Sequence, residues 1–228
     1  MSGTTPNPDR IAPPASGPAY RIETSRLCIR CWNPTDAIQL KEAVDANQEY
    51  LRPWIPWVTD NIEPLEVRIG WIRKVRAQFD SDQEYLYGIF DLTEKELIGG
   101  TGLHTRQGKH GLEIGYWIQQ KHEGQGYATE VSSALTKVAF DIHKVKRVHI
   151  CCSIANLKSA RIPEKLGFQR EGVLRKWVPN PSGVLDSMML WTMIEEEYVQ
   201  SSCAALELKA FDVIGKLIHL QSQKGARC

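Results

Sequence analysis

Three strand-like runs, EYLYGIFD, ELIGGTGLH and GLEIGYWI, follow one another between residues 84 and 118. Only the turn-like stretches LTEK and TRQGKH separate them. Links this short join antiparallel neighbours, so the middle of the chain reads as a meander. The patterns on either side build a larger mixed unit around it. Arg26 to Cys31 alternates apolar and basic residues, as a strand does. Asn33-Pro34-Thr35-Asp36 suits a helix start, with Asn33 as cap and Pro34 in the first turn, and that helix runs to about Ala46. The aromatic, proline-broken stretch NQEYLRPWIPW comes next. A second helix is expected from Pro64 to Phe79, with Val67, Trp71 and Val75 on one stripe.

Beyond the meander, Ala128, Val131, Leu135, Val138, Ala139 and Ile142 recur at helical spacing. VHICCS reads as a buried strand. NLKSARIPEKLGF reads as a short helix stopped by Gly167, in which Pro163 is tolerated only in the first turn or as a bend. GVLRKWV and DSMMLWTMI flank PNPSGVL and form a final hairpin. From about Glu195 to Lys224, Leu206, Phe211, Ile214, Leu217 and Ile218 set out one more amphipathic helix. The expected architecture is a mixed α/β domain over residues 20–198, with a helical extension over 199–228. Residues 1–19, rich in Pro, Ser and Gly, read as a flexible tail with no packing role. They hold no apolar stretch of the kind a secretory signal needs.

The net charge is +1 over 228 residues. That gives no electrostatic footprint for nucleic acid or an anionic membrane. No apolar run approaches the roughly 20 residues needed to span a bilayer. Cys28 and Cys31 form a CxxC, but odd spacing on a strand sends the side chains to opposite faces, as it does for the adjacent Cys151 and Cys152. No second pair completes a metal set, and His104, His110, His122, His143, His149 and His219 are scattered. The cysteines fit small core residues in a reducing cytoplasm, and no metal is expected.

Residues 120–130 read QKHEGQGYATE, two glycines opening a helical pattern. Glycine allows φ > 0 and close approach to the backbone, and a helix start presents unpaired N–H groups at the positive end of its dipole. Such a turn seats phosphate well, although an ordinary strand-to-helix turn uses the same residues.

This order of elements, with a glycine turn after the fourth strand, resembles the GNAT acyltransferases. Their pyrophosphate pattern, Arg/Gln-x-x-Gly-x-Gly/Ala, is matched by Lys121-His122-Glu123-Gly124-Gln125-Gly126, apart from the first residue. ANLKSARIPEKLGFQREGVLR, LRPWIPW and GYWI followed by GQGYATE are similar to segments of the RimJ/RimL-type N-acetyltransferases. The resemblance covers about residues 20–198. It implies a mostly antiparallel sheet splayed between the fourth and fifth strands, with helices on both faces and acetyl-CoA entering the splay. It implies that Ile118, the backbone from Lys121 through His122, Glu123, Gly124, Gln125, Gly126 and Tyr127 to Ala128, and Asn156 contact the cofactor. Ser159 is similar to the serine that partners the CoA thiolate in the RimL-type subgroup. The tyrosine that many members place four residues later is replaced here by Pro163.

The implied activity is direct acetyl transfer from acetyl-CoA to a primary amine, with a protein N-terminus as one acceptor. An α-amine has an ordinary pKa of about 7.7–8.0, so it needs less help from a base than lysine does. Glu113 and Glu171 are the candidate bases. Arg52, Trp54 and Trp57 are candidate acceptor-pocket residues on the stiff aromatic loop. A small amine, such as an amino sugar, polyamine or antibiotic, is the alternative acceptor. A non-catalytic acyl-CoA-binding module is the alternative of another class. The expected partners are acetyl-CoA and the acceptor, without nucleic acid or membrane; a homodimer is one way to bury the C-terminal stripe.

Overall fold

The computed structural model describes residues 11–58, 61–180 and 183–220. In chain order the elements are β1 (Arg21–Glu23), β2 (Leu27–Cys31), α1 (Ala37–Ala46), α2 (Gln48–Leu51), α3 (Leu65–Asp80), β3 (Tyr85–Asp91), β4 (Leu97–His104) and β5 (Gly111–Ile118). Then come α4 (Tyr127–Asp141), β6 (Arg147–Ser153), α5 (Leu157–Leu166), β7 (Gln169–Pro179), β8 (Leu185–Ile194), α6 (Glu195–Tyr198), β9 (Lys209–Phe211) and β10 (Leu217–Ile218). They build one sheet in the order β10-β9-β1-β2-β3-β4-β5-β6-β8-β7. The pairing of β5 with β6 is parallel, whereas the meander and both flanks are antiparallel. This is the expected mixed α/β architecture with helices on both faces.

Alternation along the strands sorts side chains into two cores. On one face Cys28, Trp32, Phe90 and Leu97 meet Leu40 and Val44 of α1 and Ile72 and Val75 of α3. On the other, Ile29, Cys31, Ile89, Leu112, Ile114 and Ile150 meet α4 through Val131, Leu135 and Val138, and α5 through Ala160 and Leu166. Cys28 and Cys31 thus enter different cores, as their odd spacing on β2 requires. Both thiols are free, and burial pushes them up to about 11 and 12 respectively.

The helix start at Asn33 is present. Asp36 accepts the Asn33 N–H at 2.8 Å and takes a two-point bond from Arg30, which fixes the chain leaving β2. Pro163 lies at the seventh position of the ten-residue α5, and Gly167 stops the helix at φ +85. Pro181 and Ser182 of the final turn lie outside the described residues.

Three expectations require correction. The buried stripe of α3 is Arg68, Ile72, Val75 and Phe79: Val75 is on it as expected, whereas Arg68 and Ile72 take the places expected for Val67 and Trp71, and Val67 is exposed. Arg68 lies buried because its guanidinium pairs with Glu63 at 2.9 Å and stands over the Trp57 ring. The N-terminal segment is not devoid of packing: Ile11 and Ala19 join the core, while residues 1–10 lie outside the described residues. Pro-rich composition prevents that segment from forming its own core, but a single Ile can still fill a neighbouring one.

The C-terminal segment is not an amphipathic helix. Leu206, Leu208 and Ala210 alternate with Glu207 and Lys209, a period of two, and the chain is extended there. Asp212 then caps a tight turn by accepting the N–H groups of Ile214 and Lys216, and Gly215 supplies φ +77. The turn joins β9 to β10, and β9 pairs with β1. Ile214, expected on an apolar stripe, is 81% exposed at the turn. Before β9, Cys203, Ala204, Leu206 and Leu208 lie on the core that α4 helps build, and the Ala204 carbonyl accepts from Lys137 at 2.8 Å.

Candidate active site

The sheet opens where β5 and β6 stop pairing. Their parallel register runs from Gly111 with Arg147 to Ile114 with Ile150 and ends there. Beyond it β5 stays on β4 as far as Ile118 with Gly99, and β6 stays on β8 as far as Ser153 with Met188. Each strand thus turns away from the other and leaves a cleft between them. Gln119 donates to Ile98 across the β4 side. Because successive N–H groups of a strand alternate between its two edges, those of Tyr116 and Ile118 face the cleft.

The glycine turn lies at one end of this cleft. Gly124 and Gly126 have φ +76 and +81, the left-handed region that glycine reaches without strain. A Cβ on Gly124 would meet nothing within 4 Å, so the space over the turn is open. Gly126 is the N-cap of α4, and the first bond back to it comes from Glu130. The N–H groups ahead of Glu130 therefore point out of the helix into this space. Arg26 braces the turn from outside: it donates to the Gln125 carbonyl at 3.0 Å and to Glu130 at 2.7 Å, and covers the Tyr127 ring. A cavity of about 620 Å³ runs from His122, Glu123, Gly124, Gly126, Tyr127 and Ala128 along Ile118 to Asn156 and Ser159. A glycine cradle on a helix start, leading into an open sheet edge, fits a pyrophosphate with an extended arm. The Lys121 side chain lies elsewhere, pairing with Glu96 at 2.7 Å.

Asn156 caps α5, its Oδ1 accepting the Ser159 N–H at 3.0 Å. The Tyr116 hydroxyl lies 3.0 Å from Ser159 Oγ and 3.3 Å from the Ser159 carbonyl oxygen. In an unbroken helix that carbonyl would accept from residue 163, but proline carries no N–H. Pro163 therefore leaves an acceptor that Tyr116 reaches. Burial raises the Tyr116 pKa well above the phenol range, against the Ser159 bond, and keeps the hydroxyl protonated.

A second cavity, of about 920 Å³, opens on the other face. Six of the seven tryptophans line it: Trp32, Trp54, Trp57, Trp71, Trp117 and Trp177. Trp57 stacks on Trp71 at 6.2 Å and meets Trp117 edge-on at 6.3 Å. Trp177, from β7, is 61% exposed at the opposite rim. Arg52 lies on the turn after α2 and lines neither cavity.

The two candidate bases fare differently. Glu113 lines the second cavity but is only 5% exposed, and both its oxygens are engaged, by Arg106 and by Gln107. Burial alone would raise its pKa; the Arg106 and Gln107 contacts overcome this and hold it below the ordinary carboxylate range. A carboxylate so held is a poor proton acceptor near neutrality. Glu171 is exposed on β7 and lines neither cavity. Sequence reasoning passed over Tyr116, His104 and Trp177. The relation of Pro163 to Ser159, four residues apart, was legible in the chain, but no local pattern names the partner that answers it. Among the described residues no cluster of three or more His, Cys, Asp or Glu side chains is gathered as a metal site. No helix among them is long and apolar enough to cross a membrane.

Known proteins resemble this chain in sequence and in fold. YoaA, an uncharacterized N-acetyltransferase of Bacillus subtilis, is 34% identical over 161 residues, 69% of this chain and 87% of its own. The [ribosomal protein uS5]-alanine N-acetyltransferase of Escherichia coli is 28% identical over 167 residues, 71% of this chain and 84% of its own. RimJ of Mycobacterium smegmatis, solved in complex with CoA-disulfide, has the same fold at a TM-score of 0.72 and 20% identity, over 86% of this chain and 92% of that one. The family model for the acetyltransferase (GNAT) domain matches residues 26–169, a span that holds the meander, the glycine turn, the parting strands and α5. With that match over more than half its length, the chain belongs to the GNAT acetyltransferases.

Proposed function

We propose that this enzyme transfers the acetyl group of acetyl-CoA to a protein N-terminal α-amine by direct attack in a ternary complex. The observation that carries the reading is a shared wall. Trp54, Ile55, Tyr116, Trp117, Asn156 and Ser159 border both cavities. A thioester delivered along one cavity is thereby met by an amine from the other. Backbone N–H groups of the turn from His122 to Ala128 hold the pyrophosphate, and the pantetheine arm follows the open edge of β5. The Tyr116 and Ile118 N–H groups receive the charge that develops on the thioester oxygen. Ser159 Oγ gives a proton to the departing sulfur, and Tyr116 holds that hydroxyl in place.

The acceptor class rests on the wide aromatic cavity with exposed tryptophans at its rim, which admits a chain end more readily than it encloses a small polar amine. The name of the Escherichia coli relative points the same way. The test is mass spectrometry of products after incubation with acetyl-CoA and a mixed pool of free-amine peptides, their N-terminally blocked twins and small amines. Acetylation confined to free α-amines supports the reading. Acetylated small amines with untouched peptides would overturn it.

A further inference from the structure

We infer that His104 is the general base that takes the proton from the incoming amine, with Glu84 as its positioning residue. The inference rests on the reading of this chain as an amine acetyltransferase.

His104 is the last residue of β4 and lines the acceptor cavity. Its Nδ1 lies 3.1 Å from Glu84 Oε2, and both side chains are about one-fifth exposed. Glu84 is itself fixed. Thr105, the next residue after His104, bonds the Gln83 carbonyl at 2.8 Å and reaches Glu84 Oε1 at 3.4 Å. A carboxylate on Nδ1 selects the tautomer that carries its proton there and leaves Nε2 with an open lone pair. Nε2 is directed at the chemistry: a Cβ placed on Gly115 would lie only 2.9 Å from it. Gly115 is the first residue of β5 beyond the pairing with β6, next to Tyr116 on the shared wall. The missing side chain at Gly115 is what allows the ring to stand over the cleft.

The other groups of this cavity are accounted for. Glu113 is bound on both oxygens. Burial pushes the Cys151 thiol up to about 12, so it is no proton acceptor near neutrality. Asp186 accepts from Ser153 at 3.3 Å on the β6–β8 side. The charged groups around the imidazole are Glu84 ahead of β3, Glu113 opposite it on β5, and Arg106 two residues beyond β4. Together they carry one net negative charge.

The step balances as follows. The ammonium of the acceptor gives one proton to Nε2, and the neutral amine attacks the thioester carbon. The C–N bond forms and the C–S bond breaks. The second nitrogen proton leaves as the sulfur gains one through Ser159, and the imidazolium returns its proton to water. The products are the acetylated amine, CoA thiol and one proton.

The experiment measures CoA thiol release by wild type and His104→Gln with octapeptides carrying free α-amines, from pH 7 to 9.5. Acetyl-CoA Kd is measured alongside by calorimetry. Gln preserves a bond to Glu84 without a basic nitrogen. We expect kcat/KM at pH 7 to fall by about a hundredfold, within the usual span for a general base, with Kd unchanged. The deficit should shrink as pH rises past the ordinary α-amine range of about 7.7–8.0, because the amine then arrives neutral. A deficit that stays constant across pH, or a loss of less than about threefold, overturns the assignment. If the wild type binds acetyl-CoA yet releases no thiol with any peptide or small amine, the transferase reading fails and the base with it. Wild-type turnover that survives in His104→Gln removes the base alone.

Discussion

The Tyr116 hydroxyl stands 3.0 Å from Ser159 Oγ and 3.3 Å from the carbonyl of the same residue, the carbonyl that Pro163 deprives of its helical partner. Two acceptors on one residue thus hold a half-buried phenol beside the proposed sulfur site. Ser159→Ala should lower kcat tenfold to about a thousandfold with little change in acetyl-CoA Kd, because a bond to sulfur strengthens as charge develops. Tyr116→Phe should lower kcat by roughly tenfold through the same hydroxyl, and the double variant should be no worse than Ser159→Ala. Steady-state kinetics with calorimetric Kd values checks this. Additive losses would mean that the two hydroxyls act independently.

Gly126→Val should weaken acetyl-CoA far more than it weakens the fold. A branched residue at φ +81 is strained by roughly 1–2 kcal/mol, and its side chain presses on the Arg26 guanidinium that braces the turn, 3.6 Å from a Cβ placed there. We expect acetyl-CoA Kd to rise at least thirtyfold while the chain unfolds cooperatively, only a few degrees lower. Calorimetry and thermal unfolding give both quantities.

Glu113→Gln should behave as a stability variant with modest kinetic effect. The Glu113 carboxylate is buried on Arg106 and Gln107, and its folded pKa is depressed. A depressed carboxylate contributes stability that is present above its unfolded value of about 4.3 and is lost as pH falls through the folded value. Urea unfolding should show the variant less stable by about 2 kcal/mol at pH 7, with that difference vanishing in acid.

His143 is buried against the Tyr85 ring at 4.5 Å, and neither ring nitrogen has a hydrogen-bond partner among the described residues. Burial lowers its pKa from the ordinary 6.5 to about 3. The unfolded chain binds a proton here below about pH 6.5, whereas the folded chain does not until about pH 3, so stability drops as pH falls through that window. His143→Phe should remove this sensitivity. Its urea midpoint should match or exceed wild type at pH 7.5 and exceed it clearly at pH 5.

Much of this molecule is legible in its sequence, and the parts that are not have physical causes. The meander, α1, the glycine stop of α5 and the turn into α4 all depend on contacts between residues close in the chain, and local patterns predicted them. The C-terminal strands were misread because Leu206 and Leu208 pack on a distant core and Ala210 pairs with distant Ile22, and a few apolar residues in a short window satisfy periods of two and of 3.6 equally well. The proposed cofactor side of the site rests on one glycine turn and its helix, which are local in the chain. The acceptor side did not, because His104, Glu84, Gly115 and Trp177 come from four strands or strand ends and meet only in the folded sheet. Glu113 looked like a base because nothing in the sequence reveals that Arg106 and Gln107 turn back onto it.

The return of the chain over α4 to pair β9 with β1 fixes an order of events during synthesis. A ribosome releases β1 almost two hundred residues before β9 exists. Throughout that interval the outer edge of β1 is an unpaired strand edge, and the core flank later covered by Cys203, Ala204 and Leu206 is open to water. The nascent protein therefore carries its whole glycine cradle before it can shield its own margin. Completion of the edge, and with it protection from pairing with a neighbouring chain, waits until β9 follows everything that builds the glycine cradle.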